Sequence, residues 1–308
     1  MNGFYPEGKI YETQENKRSL SSVAALGDAI VRETVLEAPV IMCDTEHNLI
    51  VDLGCMKGII PRSEGAIGID DGTTREIALI SRVGRTVCFV ITEFKTDKNG
   101  EMYAVLSRKR AQEICKEHIK VGLQIGEIID AKITHLESFG AFCDIGCGNI
   151  ALLPIDAISV SRISHPKDRF KVGDDIKAII KNIAPDGKIT LSHKELLGTW
   201  EENAQNFSAG QTVTGVVRSV EDYGIFVEIT PNLAGLAEPK EGVKVGQRAS
   251  VYIKSILRDK MKIKLIIIDS FDAFYSPEIK YFETASPITE WSYSPKDCYK
   301  RITTKFCG

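Results

Sequence analysis

The chain has 308 residues, 43% of them hydrophobic and 26% charged, a balance that fits folded protein and excludes a low-complexity chain. A net charge of −3 excludes the strongly basic class of nucleic-acid binders, so charge has to be weighed segment by segment. No apolar run approaches the roughly 18 to 20 residues that cross a bilayer, and the opening MNGFYPEGKIYETQENKR lacks the apolar stretch of a secretory signal, so no membrane partner and a cytoplasmic location are expected.

Residues 1–34 form an N-terminal extension. Its first 18 residues are polar and expected to be mobile, and LSSVAALGDAIV after them predicts a short helix. Residues 35–112 then hold a first module with the ordered markers Asp52-Leu53-Gly54, GIIP at 58–61, RVG at 82–84 and LSRKRA at 106–111. Ser107 in the last of these has the character of a helix N-cap.

Residues 123–198 repeat that order more clearly: SFGAFCDIG at 138–146, ALLP at 151–154, FKVGD at 170–174 and KITL at 188–191, closing on LSHKEL with Ser192 as a second expected helix cap. Leu196, Leu197, Trp200 and Ala204 follow at helical spacing, an apolar stripe suited to packing between modules. Residues 209–270 give the third copy, with DYGIFVEIT at 222–230 offset by 84 and VKVGQ and KIKL offset by 73 and 74. This copy is shorter by about ten residues, and the loss falls where the second copy reads IDAISVSRISHPKDRF.

Short Val- and Ile-rich strands divided by Gly, Asp and Pro turns, five in about 75 residues, predict a mainly β chain of three tandem five-stranded OB-fold barrels with short connecting helices. The tail, residues 271–308, carries nine of the 23 aromatic residues: Phe271, Phe274, Tyr275, Tyr281, Phe282, Trp291, Tyr293, Tyr299 and Phe306. With Pro277, Pro287 and Pro295 spaced through it, this segment is expected as short elements packed on the third barrel.

Strand alternation places Ala141, Cys143 and Ile145 on the core face and turns Phe142 and Asp144 outward. Phe139 with Phe142, and Tyr223 with Phe226, then form two-ring platforms on which unpaired bases can stack. Arg162, His165, Lys167 and Arg169 in the loop absent from the third copy, Lys188, and Lys254, Lys262 and Lys264 are the candidate cations. Nine Lys or Arg stand against seven Asp or Glu from Gln211 to Asp269, and nine against ten from Leu123 to Gly198, which favours the third copy. The alternative is that the rings plug barrel ends or a module interface, with the lysines as solvated surface.

The ordered motifs of the second copy, SFGAFCDIG, HPKDRFKVGDDIKAIIKNI and GKITLSHKEL, resemble the S1 type of RNA-binding domain, named after a large protein of the small ribosomal subunit. The resemblance covers roughly residues 35 to 270. The order of copies and the aromatic tail together resemble a shortened, three-repeat bacterial member of that ribosomal protein family. It implies an antiparallel five-stranded barrel per copy, with RNA held by the aromatic pairs, by a loop His and by basic residues near the last turn. Lys188 and Lys262 stand at the family's basic position. Pro154 and Glu238 occupy the position of its ligand-facing His, and Ala184 and Arg258 an acidic one. His47 and Ile50 replace the aromatic pair in the first copy, which points that copy toward docking protein.

The implied function is single-stranded RNA or mRNA binding in translation, as a ribosomal protein homologue or ribosome-associated factor, with the small subunit as partner. Alternatives are an OB-fold protein scaffold and an RNA-decay accessory factor. Fewer than about 80 residues lie outside the modules, too few for a catalytic domain, and no phosphate-binding loop or catalytic triad pattern occurs, so no enzyme and no cofactor are expected. The eight cysteines include no C-x-x-C pair, and Cys43, Cys88 and Cys143 sit in β-branched runs, as reduced core thiols rather than metal ligands.

Overall fold

The computed structural model describes residues 4–273, 279–285 and 287–306. The chain divides into two compact units: Met1–Leu123 with Asp130–Lys132 and Asp144–Ile150, and Gln124–Ile129 with Ile133–Cys143 and Ala151–Gly308. Three closed five-stranded barrels run through it. Helices α1 (Gln14–Ser19) and α2 (Val23–Val31) precede the first barrel, made of β1 (Leu36–Cys43), β2 (Leu49–Asp52), β3 (Lys57–Ile60), β4 (Thr86–Thr96) and β5 (Met102–Ser107). Helix α3 (Ile77–Ile80) lies before β4 and α4 (Arg108–Gly122) after β5. The second barrel comprises β6 (Ile128–Glu137), β7 (Gly140–Asp144), β8 (Ile150–Pro154), β9 (Asp175–Ile183) and β10 (Ile189–Ser192), followed by α5 (Trp200–Ala204). The third comprises β11 (Thr212–Glu221), β12 (Gly224–Thr230), β13 (Leu233–Ala237), β14 (Arg248–Leu257) and β15 (Lys262–Phe271).

Each barrel closes through its third and fifth strands in parallel: Gly58 opposite Ala104, Leu152 opposite Thr190, Leu236 opposite Lys264. The five-stranded barrels that the sequence predicts are present, each with this one parallel seam. Directions cannot alternate all the way round a ring of odd strand number, so one pair must run parallel. Period-two patterning fills the interiors: Ile263, Leu265 and Ile267 of β15 are core, while Lys262 and Lys264 between them face outward.

In the first unit the described part of the opening segment, residues 4–18, is held, not mobile. Glu7 is buried, and Arg108 donates to it twice, from Nε at 2.7 Å and from Nη2 at 2.9 Å. Arg82 adds a bond at 3.1 Å, and the Cys88 amide one at 3.2 Å. Burial alone would raise the Glu7 pKa, but the two guanidiniums reverse that and hold it at about 2. The Glu7 amide donates to Asp144 at 2.8 Å, so Asp144 is also buried rather than solvated, its remaining oxygen accepting from the Gly146 and Gly148 amides. Ser107 caps α4 as the sequence predicts, accepting from the Arg110 amide at 2.8 Å.

In the second unit Ser192 starts no α-helix. Its hydroxyl donates to Glu195 at 2.5 Å and a 3-10 turn follows over Lys194–Leu197. Gly198, at φ 81°, breaks the apolar stripe in two. Leu196 packs with Ile128 and Ile179 of the second barrel, whereas Trp200 and Ala204 join the core of the third.

The tail reaches both of these barrels rather than the third alone. Its strands β16 (Glu290–Ser292) and β17 (Thr303–Lys305) pair antiparallel. Trp291 and Tyr293 enter the third barrel's cluster, while Phe306 and Tyr281 pack beside Leu196. Tyr299 and Phe271 are exposed, and Phe274, Tyr275 and Pro277 lie outside the described residues.

Tyr281 also organises a polar chain. Its oxygen accepts from the Lys177 amide at 3.0 Å and faces Nε2 of the buried His193 at 3.3 Å. Nδ1 of His193 stands 2.9 Å from the Ile158 carbonyl, which can only accept, so Nδ1 carries the proton of the neutral ring. Burial lowers the His193 pKa to about 4. A folded-state value below the unfolded one, about 6.5, means stability that is complete above pH 6.5 and lost as pH falls toward 4, up to about 3 kcal/mol. Trp200 and Trp291, the chain's two tryptophans, are both buried in this unit and report its unfolding. Urea melts followed by their fluorescence should lose stability between pH 6.5 and 5, with the slope abolished in His193→Gln; a flat wild-type profile would exclude this role.

Candidate nucleic-acid interface

The Phe-Gly turn that joins β6 to β7 brings Phe139 beside Phe142, and the Tyr-Gly turn that joins β11 to β12 does the same for Tyr223 and Phe226. Gly140 and Gly224 are required there: a β-carbon would come within 2.6 Å of the Leu153 carbonyl oxygen in one case and 2.7 Å of the Ala237 carbonyl oxygen in the other. Ring centroids stand 6.0 Å apart at 89° in the first pair and 6.2 Å apart at 85° in the second. These are edge-to-face pairs, the arrangement that the ring quadrupole favours. Phe139 remains 55% and Tyr223 69% exposed, so neither ring fills a barrel interior or plugs an interface among the described residues.

A third ring, absent from the sequence reading, joins the second barrel's pair. His135 lies 6.2 Å from Phe142, tilted by 30°, with Nε2 2.6 Å from Glu137. Its counterpart at the 84-residue offset is Ser219, which sits opposite Phe226, so only the aromatic identity at the facing strand position could have signalled it.

Pairing registers place the third barrel's cations. Phe226 faces Leu236, and Leu236 faces Lys264, so ring, apolar step and ammonium form one outward row across β12, β13 and β15. Strand spacing of about 4.8 Å puts Lys264 about 10 Å from the Phe226 strand. Lys262 is exposed at the start of β15. Lys254 is 3.3 Å from Glu238, so the carboxylate at the family's His position partly cancels it. In the second barrel the residue aligned with Lys264 is Thr190, and Lys188 pairs with Asp186 at 2.8 Å in the exposed final turn.

The loop cations separate. Arg162 and Lys167 are exposed, and His165 is half-buried, its Nδ1 accepting from the Lys167 amide at 3.1 Å. Arg169 is not a surface cation, and its assignment to RNA is corrected: it is buried, bound to Glu228 of β12 and to Ser159 Oγ at 3.2 Å. Arg218 donates to the same carboxylate at 3.0 and 3.1 Å and stands 3.6 Å from Asp168. Desolvation lowers the Arg169 pKa, and the Glu228 carboxylate works against it. In the first barrel no platform forms: Ile50 is buried and His47 stands 3.3 Å from Glu76.

Residues 123–194 match the family of the S1 RNA binding domain. That match takes in the whole of the second barrel, from β6 to β10. Over 234 residues the chain is 29% identical to a small ribosomal subunit protein bS1 homolog of Bacillus subtilis (strain 168), covering 70% of this chain and 58% of that protein. Over 272 residues it is 29% identical to the small ribosomal subunit protein bS1 of Staphylococcus epidermidis, covering 82% and 66%. The chain thus spans 58 to 66% of the length of these relatives. Among solved structures it is similar to a multidomain protein with nucleic acid binding domains from Streptococcus pneumoniae, at 15% identity, 79% and 76% coverage and a TM-score of 0.25. In the second barrel β7 carries Phe142 and Asp144 on one face, as β12 of the third carries Phe226 and Glu228, so in both barrels the platform and a buried carboxylate share a strand face.

Removing Glu228 would leave two guanidiniums facing each other without their shared counter-charge. Breaking a buried pair from one side costs about 3 to 5 kcal/mol. Glu228→Gln should therefore destabilise the second unit by that order in tryptophan-monitored denaturation; a change within experimental error would show the network to be energetically idle.

Proposed function

We propose that this chain holds single-stranded RNA on its second and third barrels and acts in translation, as a homologue of the small-subunit ribosomal protein or a ribosome-associated mRNA-binding factor. The observation that carries this reading is the pair of exposed edge-to-face aromatic platforms at matching positions of two barrels. Such rings take unpaired bases at about 1 to 3 kcal/mol each, with little regard to sequence. The bS1 relatives support the ribosomal side, and the small subunit is the proposed partner. The work proposed is binding without catalysis, in the cytoplasm. No helix among the described residues is long and apolar enough to cross a membrane.

The first barrel favours a different use. It lacks the platform, and residues 35–107 carry eleven Asp or Glu against seven Lys or Arg, a surface that repels phosphate. We assign it to protein docking.

Phe139→Ala with Phe142→Ala should weaken binding of an unstructured RNA oligomer by about 2 to 4 kcal/mol while the fold survives. Unchanged affinity with a lowered melting temperature would make the rings structural and end the platform reading. Unpaired RNA should also bind more tightly than a hairpin of equal length, since paired bases bury the faces that stack. Equal affinities in a titration of the two would remove stacking as the mechanism.

A further inference from the structure

The long β8–β9 connection of the second barrel leaves that barrel early. The Ile155 amide still donates to the Phe139 carbonyl at 2.9 Å, but the Val160 amide donates to the Asn232 side chain of the third barrel at 2.9 Å. Nine residues later Arg169 is bound to Glu228 on β12, and Asp168 lies 3.6 Å from Arg218 on β11. The cationic stretch between Val160 and Arg169 is thus fastened at both ends to the third barrel.

Its anchor lies beside that barrel's platform. Glu228 and Phe226 are two residues apart on the outward face of β12, about 7 Å along the strand. Arg218 sits in the β11 irregularity opposite Val227 and Phe226. Between the anchors, Lys167 is oriented by the turn Pro166–Asp168, which His165 caps through its ring nitrogen and Asp168 through its carboxylate. Arg162 and Lys167 are exposed and form no ion pair with another described residue.

We propose that this loop is a working part of the third barrel's RNA site, with Arg162 and Lys167 holding the phosphates next to the base stacked on Phe226 and His165 acting as a positioning residue for Lys167. The inference rests on the RNA reading above and deepens it: the third copy lacks this loop in its own sequence and receives it from its neighbour. RNA is then gripped by cations of one barrel and rings of the next.

The test is coupling, measured with an unstructured 12-nucleotide RNA on the full chain. Arg162→Ala with Lys167→Ala should weaken binding about tenfold and lower the salt slope by about 1.4, about 0.7 for each phosphate contact on a single strand. In a Tyr223→Ala, Phe226→Ala background the same loop change should cost less than about twofold, because the site it serves is already lost. In a Phe139→Ala, Phe142→Ala background it should still cost about tenfold. Tyr223→Ala alone, the more exposed ring, repeats the comparison if the double variant folds poorly. Coupling to Phe139 and Phe142 instead, additivity in both backgrounds, or no loop effect while both aromatic pairs matter would overturn the composite site alone. If neither aromatic pair affects binding, the RNA reading fails, and this inference with it.

Discussion

A carboxylate moved out of water costs several kcal/mol unless charges or amides replace its hydration. Asp144 and Glu228 stand at equivalent positions of two barrels, each two residues beyond the inner aromatic of its platform, and both are buried on the outer face. Their solutions differ. Asp144 takes three backbone amides, from Glu7, Gly146 and Gly148, and burial still raises its pKa to about 6. Glu228 takes two guanidiniums, from Arg169 and Arg218. Glu228 thereby fixes a segment from earlier in the chain onto the outer face of the third barrel.

That constraint divides the outer strand face between two jobs. In the third barrel one end is sealed by the segment that satisfies the carboxylate, and the other is left to Phe226 and to Tyr223 across the turn. The rings are consequently carried by a strand that cannot shift register without exposing a charge network. The first barrel shows the contrast: its aligned carboxylate, Asp52, is exposed and accepts from the Gly54 amide, and its platform positions are a buried Ile50 and a His47 that stands 3.3 Å from Glu76. Buried carboxylate and platform are present together in the second and third copies and missing together in the first.

Fold and platform were legible because both are local. Alternation in KIKLIII fixed which side of β15 faces the core, and the aromatic-Gly-x-Phe spacing fixed both ring pairs. The expectation of mobility fails for residues 4–18 because Glu7 finds its partner at Arg108, a hundred residues away, and no periodicity encodes that. Arg169 failed for the same reason: among Arg162, His165 and Lys167 it differs only in what lies opposite, on another barrel. The helical stripe at Leu196, Leu197, Trp200 and Ala204 was right about burial and wrong about continuity, because the Gly198 turn sends its halves to two cores. Asp144 and Glu228 did carry a signal. An acidic residue kept at an outward strand position beside an aromatic in two copies is a poor neighbour for RNA, and so points to a partner inside the protein.

The same burial changes what the net charge means. Among the described residues, Glu7, Glu37, Asp144, Glu195 and Glu228 are buried, against Arg108 and Arg169 on the basic side. Taking five from the 42 acidic residues and two from the 39 basic ones leaves the signs level, so the surface is less acidic than −3 suggests. Burial also raises the Glu37 pKa to about 7, against three backbone amides that favour its charge, so one of the five withdrawn carboxylates is only partly charged at neutral pH. What remains is uneven. The first barrel keeps most of its carboxylates in solvent, whereas the third sets Lys264 in register with its platform and stands beside Arg162 and Lys167. The proposed RNA affinity therefore depends on where carboxylates are hidden as much as on where lysines are shown.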